Sequence, residues 1–217
     1  MRLIQVASFL ASGPLNRQLI GSAFQSMPEP SHLLALGTPA PQFALPDTVS
    51  GRTVSLADLQ DAPALVIAFV CNHCPYVQHL LDGLVAFGRD MEREGVAVVA
   101  ISSNDASSYP ADAPAEMRRI ATGKGFAFPY LYDESQSVAR AYGAVCTPDF
   151  FVYDAARRLA YHGQFDASRP GNKVPVTGAD LRAAVAAVRH GTPLPRSQIA
   201  SVGCTIKWKR GQAPNSP

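Results

Sequence analysis

The sequence predicts an α/β domain built around parallel strands, and three observations predict it. The run ALVIAFV (64–70) is continuously apolar and rich in β-branched and aromatic residues, as a strand buried on both faces requires. After it, Val77, Leu80, Leu81, Leu84, Val85 and Met91 recur at helical spacing as far as Gly95. VAVVAI (96–101) is a second buried strand, so strand, helix and strand follow in the order of a right-handed parallel crossover.

The remaining elements are read in chain order. The Pro-rich text LGTPAPQFALPD is an extended lead-in, and GRTVSLADL offers a short strand and a turn. Beyond the crossover, the loop SSNDASSYPADAP leads to a helix at about 114–123. FPYLYDESQSVARAYG reads as a short strand, a turn and a helix stopped by Gly143; TPDFFVYD and RLAYHGQF form a hairpin around DAAR. Thr177 with Asp180 opens a last helix in the capping-box manner, Leu181, Val185 and Val188 give it one apolar face, and Gly191 closes it. The expected organisation is an N-terminal extension (1–31), one domain (32–192) and a C-terminal tail (193–217). Within the extension, Met27 reads as the natural start, with the preceding residues upstream of it or disordered; a weak export signal beginning at Arg2 is the minority reading.

Composition narrows the function. At 217 residues, 47% of them apolar, the chain supports one sizeable core. The net charge of +2 sits on no polybasic block beyond KWKR (207–210), which excludes an electrostatic footprint for nucleic acid. No apolar run reaches the roughly 18 residues of a membrane-spanning helix, so no membrane partner is expected. The four cysteines, Cys71, Cys74, Cys146 and Cys204, are too few and too spread for a secreted disulfide scaffold, and a reducing, cytoplasmic compartment is the expectation.

Chemistry concentrates in CNHC (71–74). The crossover puts Cys71 at the carboxyl end of a strand and the amino end of a helix, where open α/β sheets hold their sites. Pro75 suits the first helical turn. Strand, CxxC, helix, and then CTPDFF with its proline, Pro148, resemble the thioredoxin superfamily over about residues 38–192. The motifs CNHCPYV, PYLYDESQ, TPDFF and GCTIKW are more narrowly similar to a bacterial subgroup of redoxins with alkyl hydroperoxide reductase and thiol-specific antioxidant domains. The resemblance implies a thioredoxin-like fold, a central mixed sheet flanked by helices. It implies a thiol–disulfide oxidoreductase needing no cofactor, acting on a disulfide-containing protein or a small thiol compound and drawing on an unidentified electron donor. Pro148 matches the superfamily's cis-proline facing the cysteine pair, with Thr147 lending backbone groups to an incoming peptide.

A cysteine at a helix amino terminus has its thiolate favoured by unpaired N–H groups and the helix dipole. Cys71 is therefore expected to ionise readily and attack, with Cys74 resolving the mixed disulfide. His73 occupies a position that histidine also takes in protein disulfide isomerases, and a protonated ring there would favour the Cys71 thiolate further. Cys146 and Cys204 are possible auxiliary thiols, placed near the pair or folded back to it; Ile206 and Trp208 are expected to cover apolar surface.

The chain also departs from its relatives. Peroxiredoxins carry Thr or Ser three residues before the peroxidatic cysteine, where this chain has Ala68, so peroxidase activity is an alternative reading. Thioredoxin's buried acid is Leu65 here and its tryptophan is Val70, leaving Asp149, His73 or water to take the Cys74 proton. A zinc site lacks a second CxxC or paired histidines, and His79 lies on another face of the helix from Cys74, so no metal ligand set is expected. A copper(I) carrier using the two cysteines and a nearby histidine is the third reading.

Overall fold

The computed structural model describes residues 28–31, 33–194 and 198–214. In chain order the elements are β1 (Pro28–Pro30), β2 (Ala44–Pro46), β3 (Thr53–Ser55), β4 (Ala64–Phe69), α1 (Pro75–Arg93), β5 (Ala97–Ser102), α2 (Pro114–Lys124), β6 (Tyr130–Tyr132), α3 (Ser137–Ala141), β7 (Cys146–Thr147), β8 (Asp149–Asp154), β9 (Leu159–Gly163), α4 (Ala179–His190) and β10 (Val202–Thr205). Five strands form the central sheet in the order β6-β5-β4-β8-β9. The first three are mutually parallel, β8 runs antiparallel to β4, and β9 turns back antiparallel to β8, so the sheet is mixed.

Period-two alternation along the buried strands feeds two cores. Ala64, Val66 and Ala68 of β4 face the core shared with α1, α2 and α4, where Leu84, Phe87, Met117 and Leu181 pack. Leu65, Ile67 and Phe69 face the opposite core, where Val138, Tyr142, Phe151 and Tyr153 lie. A central strand covered on both faces has to be apolar throughout, which explains ALVIAFV. Among the described residues no helix is long and apolar enough to cross a membrane.

Two boundaries differ from expectation. Residues 28–30 do not belong to an unstructured extension, because they pair with β10 (Pro28 opposite Cys204, Pro30 opposite Val202), and the Ser31 N–H donates to Ser201 O at 2.9 Å. Residues 1–27 lie outside the described residues. Nor is the C-terminal segment an appendage: β10 is the middle strand of a second sheet, β1-β10-β7, with Cys204 opposite Thr147 and Thr205 opposite Cys146. Past β10, Ile206 is buried and Trp208 packs against the same core, as expected.

The helix 179–190 starts differently from the predicted capping box. Gly178 is its N-cap with no side-chain cap bond, and the Asp166 carboxylate accepts the Thr177 and Gly178 N–H groups at 2.7 and 2.6 Å. Asp180 is instead taken by the Gln164 amide at 2.6 Å. A carboxylate reaching over from the β9 side meets the helix-start donors better than the local hydroxyl does.

One buried amide fastens the C-terminal segment. Gln136 donates from Nε2 to Ser103 O (2.6 Å) and Lys207 O (2.9 Å), while its Oε1 accepts the Lys209 N–H (2.8 Å). Gln136→Ala removes all three bonds, so at about 1 kcal/mol each it is expected to cost about 3 kcal/mol in denaturant unfolding and to speed hydrogen exchange at the Lys209 amide. Unchanged exchange at Lys209 would show that the clamp does not hold the segment.

Candidate active site

The β4–α1 junction builds the site. The Val70 N–H still donates to Ile101 O at 2.9 Å, and the helix begins at Pro75 with Cys74 as its N-cap, whose carbonyl accepts the Gln78 N–H. Proline at this point forfeits only a donor that a helix start leaves unpaired. Four residues, 71–74, thus turn the chain from sheet to helix, and both sulfurs end inside it: Cys71 is 1% exposed and Cys74 0%.

Thr147 organises the sulfurs. The Thr147–Pro148 peptide is cis, as expected. Cys71 Sγ lies 3.3 Å from Thr147 Oγ1, and the Cys74 thiol points at Thr147 O at 3.2 Å. Cys71 and Cys204, the latter on the facing strand, are each close enough to Cys74 for the thiols to shift one another's ionisation. None of the four cysteines is disulfide-linked in the structure. The sulfur of Cys146 instead lies 4.0 Å from Pro148 O.

The tail strand reaches this close because Gly203 has no side chain. A Cβ there would sit 1.9 Å from Thr147 O and 3.0 Å from Pro148 Cδ, and one on Gly163 would sit 2.5 Å from Ile199 O. The backbone of Thr147, expected to receive a peptide, is therefore engaged by the chain's own residues 203–205. Cys204, 3% exposed, and not Cys71 or Cys74, lines the adjoining pocket of about 460 Å³ with His73, Pro75, Tyr109 and Lys207.

Sequence reasoning missed the charge that governs the pair. Asp112, fully buried, accepts the backbone N–H groups of Asn72 (2.7 Å) and His73 (3.2 Å), the Asn104 amide (2.8 Å) and His73 Nδ1 (2.5 Å). Burial alone would raise its pKa, but the bonds from His73 and Asn104 outweigh that and hold it below the ordinary carboxylate value. Its stabilising effect is thus complete above the unfolded-state pKa near 3.8 and is lost as pH falls through the lower folded value. No local motif marks Asp112; the only signal is that SSNDASSYPADAP leaves β5 at the same sheet end as the cysteines.

This carboxylate reverses the expectation for Cys71. The N–H groups of residues 72 and 73, which would stabilise a Cys71 thiolate, are spent on Asp112. The bond with Cys74, burial and the Asp112 charge, in that order, raise the Cys71 pKa well above that of a free thiol; the Thr147 hydroxyl pulls weakly the other way. Cys74 is lowered, by bonds from Cys204 and Cys71 and by the N–H groups of Val77 and Cys204, against the cost of its burial. Of the two, Cys74, the helix N-cap, is the thiol whose ionisation is favoured. His73, stacked on Tyr109 with ring centroids 5.1 Å apart, is paired with Asp112 and not with Cys71.

Asp149 is no free acceptor either, because it lies 3.1 and 3.2 Å from His162 Nε2 in a fully buried pair whose Nδ1 accepts the Leu34 N–H. His79 bonds Ser168 Oγ at 2.7 Å. Cys71, His73 and Asp112 bring ligand atoms within 4.8 Å of one another, but the histidine nitrogen and the carboxylate are already bonded to each other, which leaves poor donors for a soft copper(I) ion.

A thioredoxin-like fold carrying a cysteine pair at the first strand-to-helix junction defines a thiol redox protein of the redoxin class. The profile of the AhpC/TSA family matches residues 36–162, and the chain belongs to that family. It is 47% identical to an uncharacterized conserved protein of Geobacillus kaustophilus (TM-score 0.84, covering 86% of this chain and 98% of the other). A hypothetical protein of Sinorhizobium meliloti 1021 is 51% identical (TM-score 0.82, 84% and 99%). The thioredoxin domain of a thiol-disulfide oxidoreductase from Bacteroides vulgatus shares the fold at 15% identity (TM-score 0.54, 70% and 98%). No curated protein matches the chain.

Two substitutions test the site. Gly203→Ala forces β10 off Thr147; overpacking of this kind costs about 1–3 kcal/mol, so alkylation of Cys71 by iodoacetamide should quicken about tenfold or more. An unchanged rate would mean that the strand does not shield the pair. Asp112→Asn removes the charge disfavouring the Cys71 thiolate, so ultraviolet titration should show the Cys71 pKa moving down; no movement, or a rise, would contradict the electrostatic account.

Proposed function

We propose that this protein is a thiol–disulfide oxidoreductase whose working couple is Cys71 and Cys74. The observation that carries the reading is that both sulfurs stand at the amino end of α1 and meet the same residue, Thr147, at 3.3 and 3.2 Å, beside the cis Pro148. Membership of the AhpC/TSA family supports thiol-based redox chemistry in general.

The charge distribution suggests the order of events. The Cys71 thiol passes its proton to the Cys74 thiolate and attacks a sulfur of the substrate disulfide, R–S–S–R. The bond between Cys71 and one R–S sulfur forms as the other R–S⁻ leaves, and that thiolate takes the proton from Cys74. Cys74, again a thiolate, attacks the Cys71 sulfur; the second R–S⁻ departs, is protonated from solvent, and a Cys71–Cys74 disulfide is left. Cys74 thus acts first as base and then as the resolving nucleophile expected from the sequence, and in this order the group that takes its proton is the departing substrate thiolate.

The substrate we propose is a small disulfide compound. Recognition of an extended peptide by strand addition needs a free sheet edge, and the edge at Cys146–Thr147 already carries β10. The 460 Å³ pocket beside His73 and Tyr109 is of the size that takes a small molecule.

A thiol peroxidase is the second reading, favoured by the Thr147 hydroxyl 3.3 Å from Cys71 Sγ. With dithiothreitol as donor, reduction of bis(2-hydroxyethyl) disulfide should fall at least about a hundredfold in Cys71→Ser and in Cys74→Ser. Retention of activity in either variant would remove the couple. Rapid turnover of hydrogen peroxide, with none of the disulfide, would favour the peroxidase.

A further inference from the structure

We propose that Cys204 is a third redox thiol, which exchanges with the Cys71–Cys74 disulfide to form a Cys74–Cys204 disulfide; this rests on the couple proposed above. Three independent features of the geometry place Cys204 for that step. It stands opposite Thr147 in strand register, and Thr147 is the residue that both other sulfurs contact. Its thiol is close enough to that of Cys74 for each to shift the other's ionisation. The preceding residue, Gly203, leaves no room for a Cβ against Thr147 and Pro148, so the strand is seated at the only depth that brings residue 204 to the pair.

Burial supplies the reason for a third thiol. Cys71 and Cys74 are 1% and 0% exposed, whereas Cys204, at 3%, belongs to the wall of the pocket with His73, Pro75, Tyr109 and Lys207. A reductant entering there meets Cys204 first. In the exchange, Cys204 sulfur bonds to Cys74 sulfur as the Cys71–Cys74 bond breaks, and the proton of Cys204 passes to Cys71. No electrons enter or leave, and Cys71 is restored as a thiol while the oxidised pair moves to the pocket wall. A small thiol donor then attacks Cys204, releasing Cys74 as a thiolate, and a second donor thiol attacks the mixed disulfide, leaving the donor disulfide and reduced Cys204. The Cys74 contact and burial raise the Cys204 pKa well above that of a free thiol, so it reacts by giving up its proton to Cys71 as the bond forms; the Lys207 charge pulls weakly the other way.

The test uses the full chain with Cys71→Ser, which removes the first disulfide and leaves the proposed second one. Oxidised with one equivalent of glutathione disulfide, capped with iodoacetamide and digested without reductant, this variant should yield a peptide pair joined through Cys74 and Cys204. Recovery of both residues as capped thiols or as glutathione adducts, or a link from Cys74 to Cys146, overturns the proposal. A parallel sample of the unsubstituted protein under limiting oxidant separates the two readings: a Cys71–Cys74 link there, with no Cys74–Cys204 link in the variant, sinks the third thiol and leaves the couple standing. As a second measurement, Cys204→Ser should lower steady-state turnover with a monothiol donor about tenfold while a melting curve reports its folding. Wild-type turnover in a folded Cys204→Ser protein also overturns the proposal.

Discussion

Everything at the active end of this fold depends on how closely two backbones meet, those of Gly203 and the Thr147–Pro148 peptide. Without a Cβ at 203, β10 can lie against the segment that both sulfurs of the CxxC motif contact. That approach buries the cysteine pair, brings a third sulfur to it and fills the edge that would otherwise welcome a partner strand. Pairing is then secured from further along the chain, by Gln136 and Asn104 on the segment through Lys207 and Lys209. Site and cover form a single piece of structure.

The electrostatics follow from a competition for donors. A helix start offers several unpaired N–H groups, and any anion nearby contends for them. Here the contenders are two, the Asp112 carboxylate and a thiolate. Asp112 takes the donors of residues 72 and 73, and Cys74 keeps those further on, so ionisation is favoured at the second cysteine and not at the first. His73 belongs to the same arrangement, because a carboxylate with four donors around it is a stronger draw on an imidazole than a neutral thiol is.

Much of this was legible in the sequence. ALVIAFV, VAVVAI and the helical spacing behind CNHC carry strong, continuous patterns, because each residue answers to the same core. The cysteine pair was legible for the same reason, since the junction it occupies is fixed by those strands, whereas Pro148 was legible only through the family resemblance. Asp112 was not, because its role depends on a loop folding back onto residues far away in sequence, and a loop carries no period to read. VGCT stood out only within the motif GCTIKW, and its pairing was not legible. Four residues are too short for an alternation to register, and their value comes from pairing with β7, 57 positions earlier in the register that joins Cys204 to Thr147. Thr177 with Asp180 shows the opposite failure: the local motif is present, yet Asp166 from a neighbouring segment reaches the same donors and displaces it.

The strand β10 lies between β1, near the front of the described chain, and β7, well past its middle. During synthesis the central sheet and α1 have already emerged when residues 202–205 are still to be added. A chain in which β10 has not yet docked thus holds two thiols with no lid over them. Long-range pairings of this kind form late, so the interval open to stray oxidation ends when that strand docks.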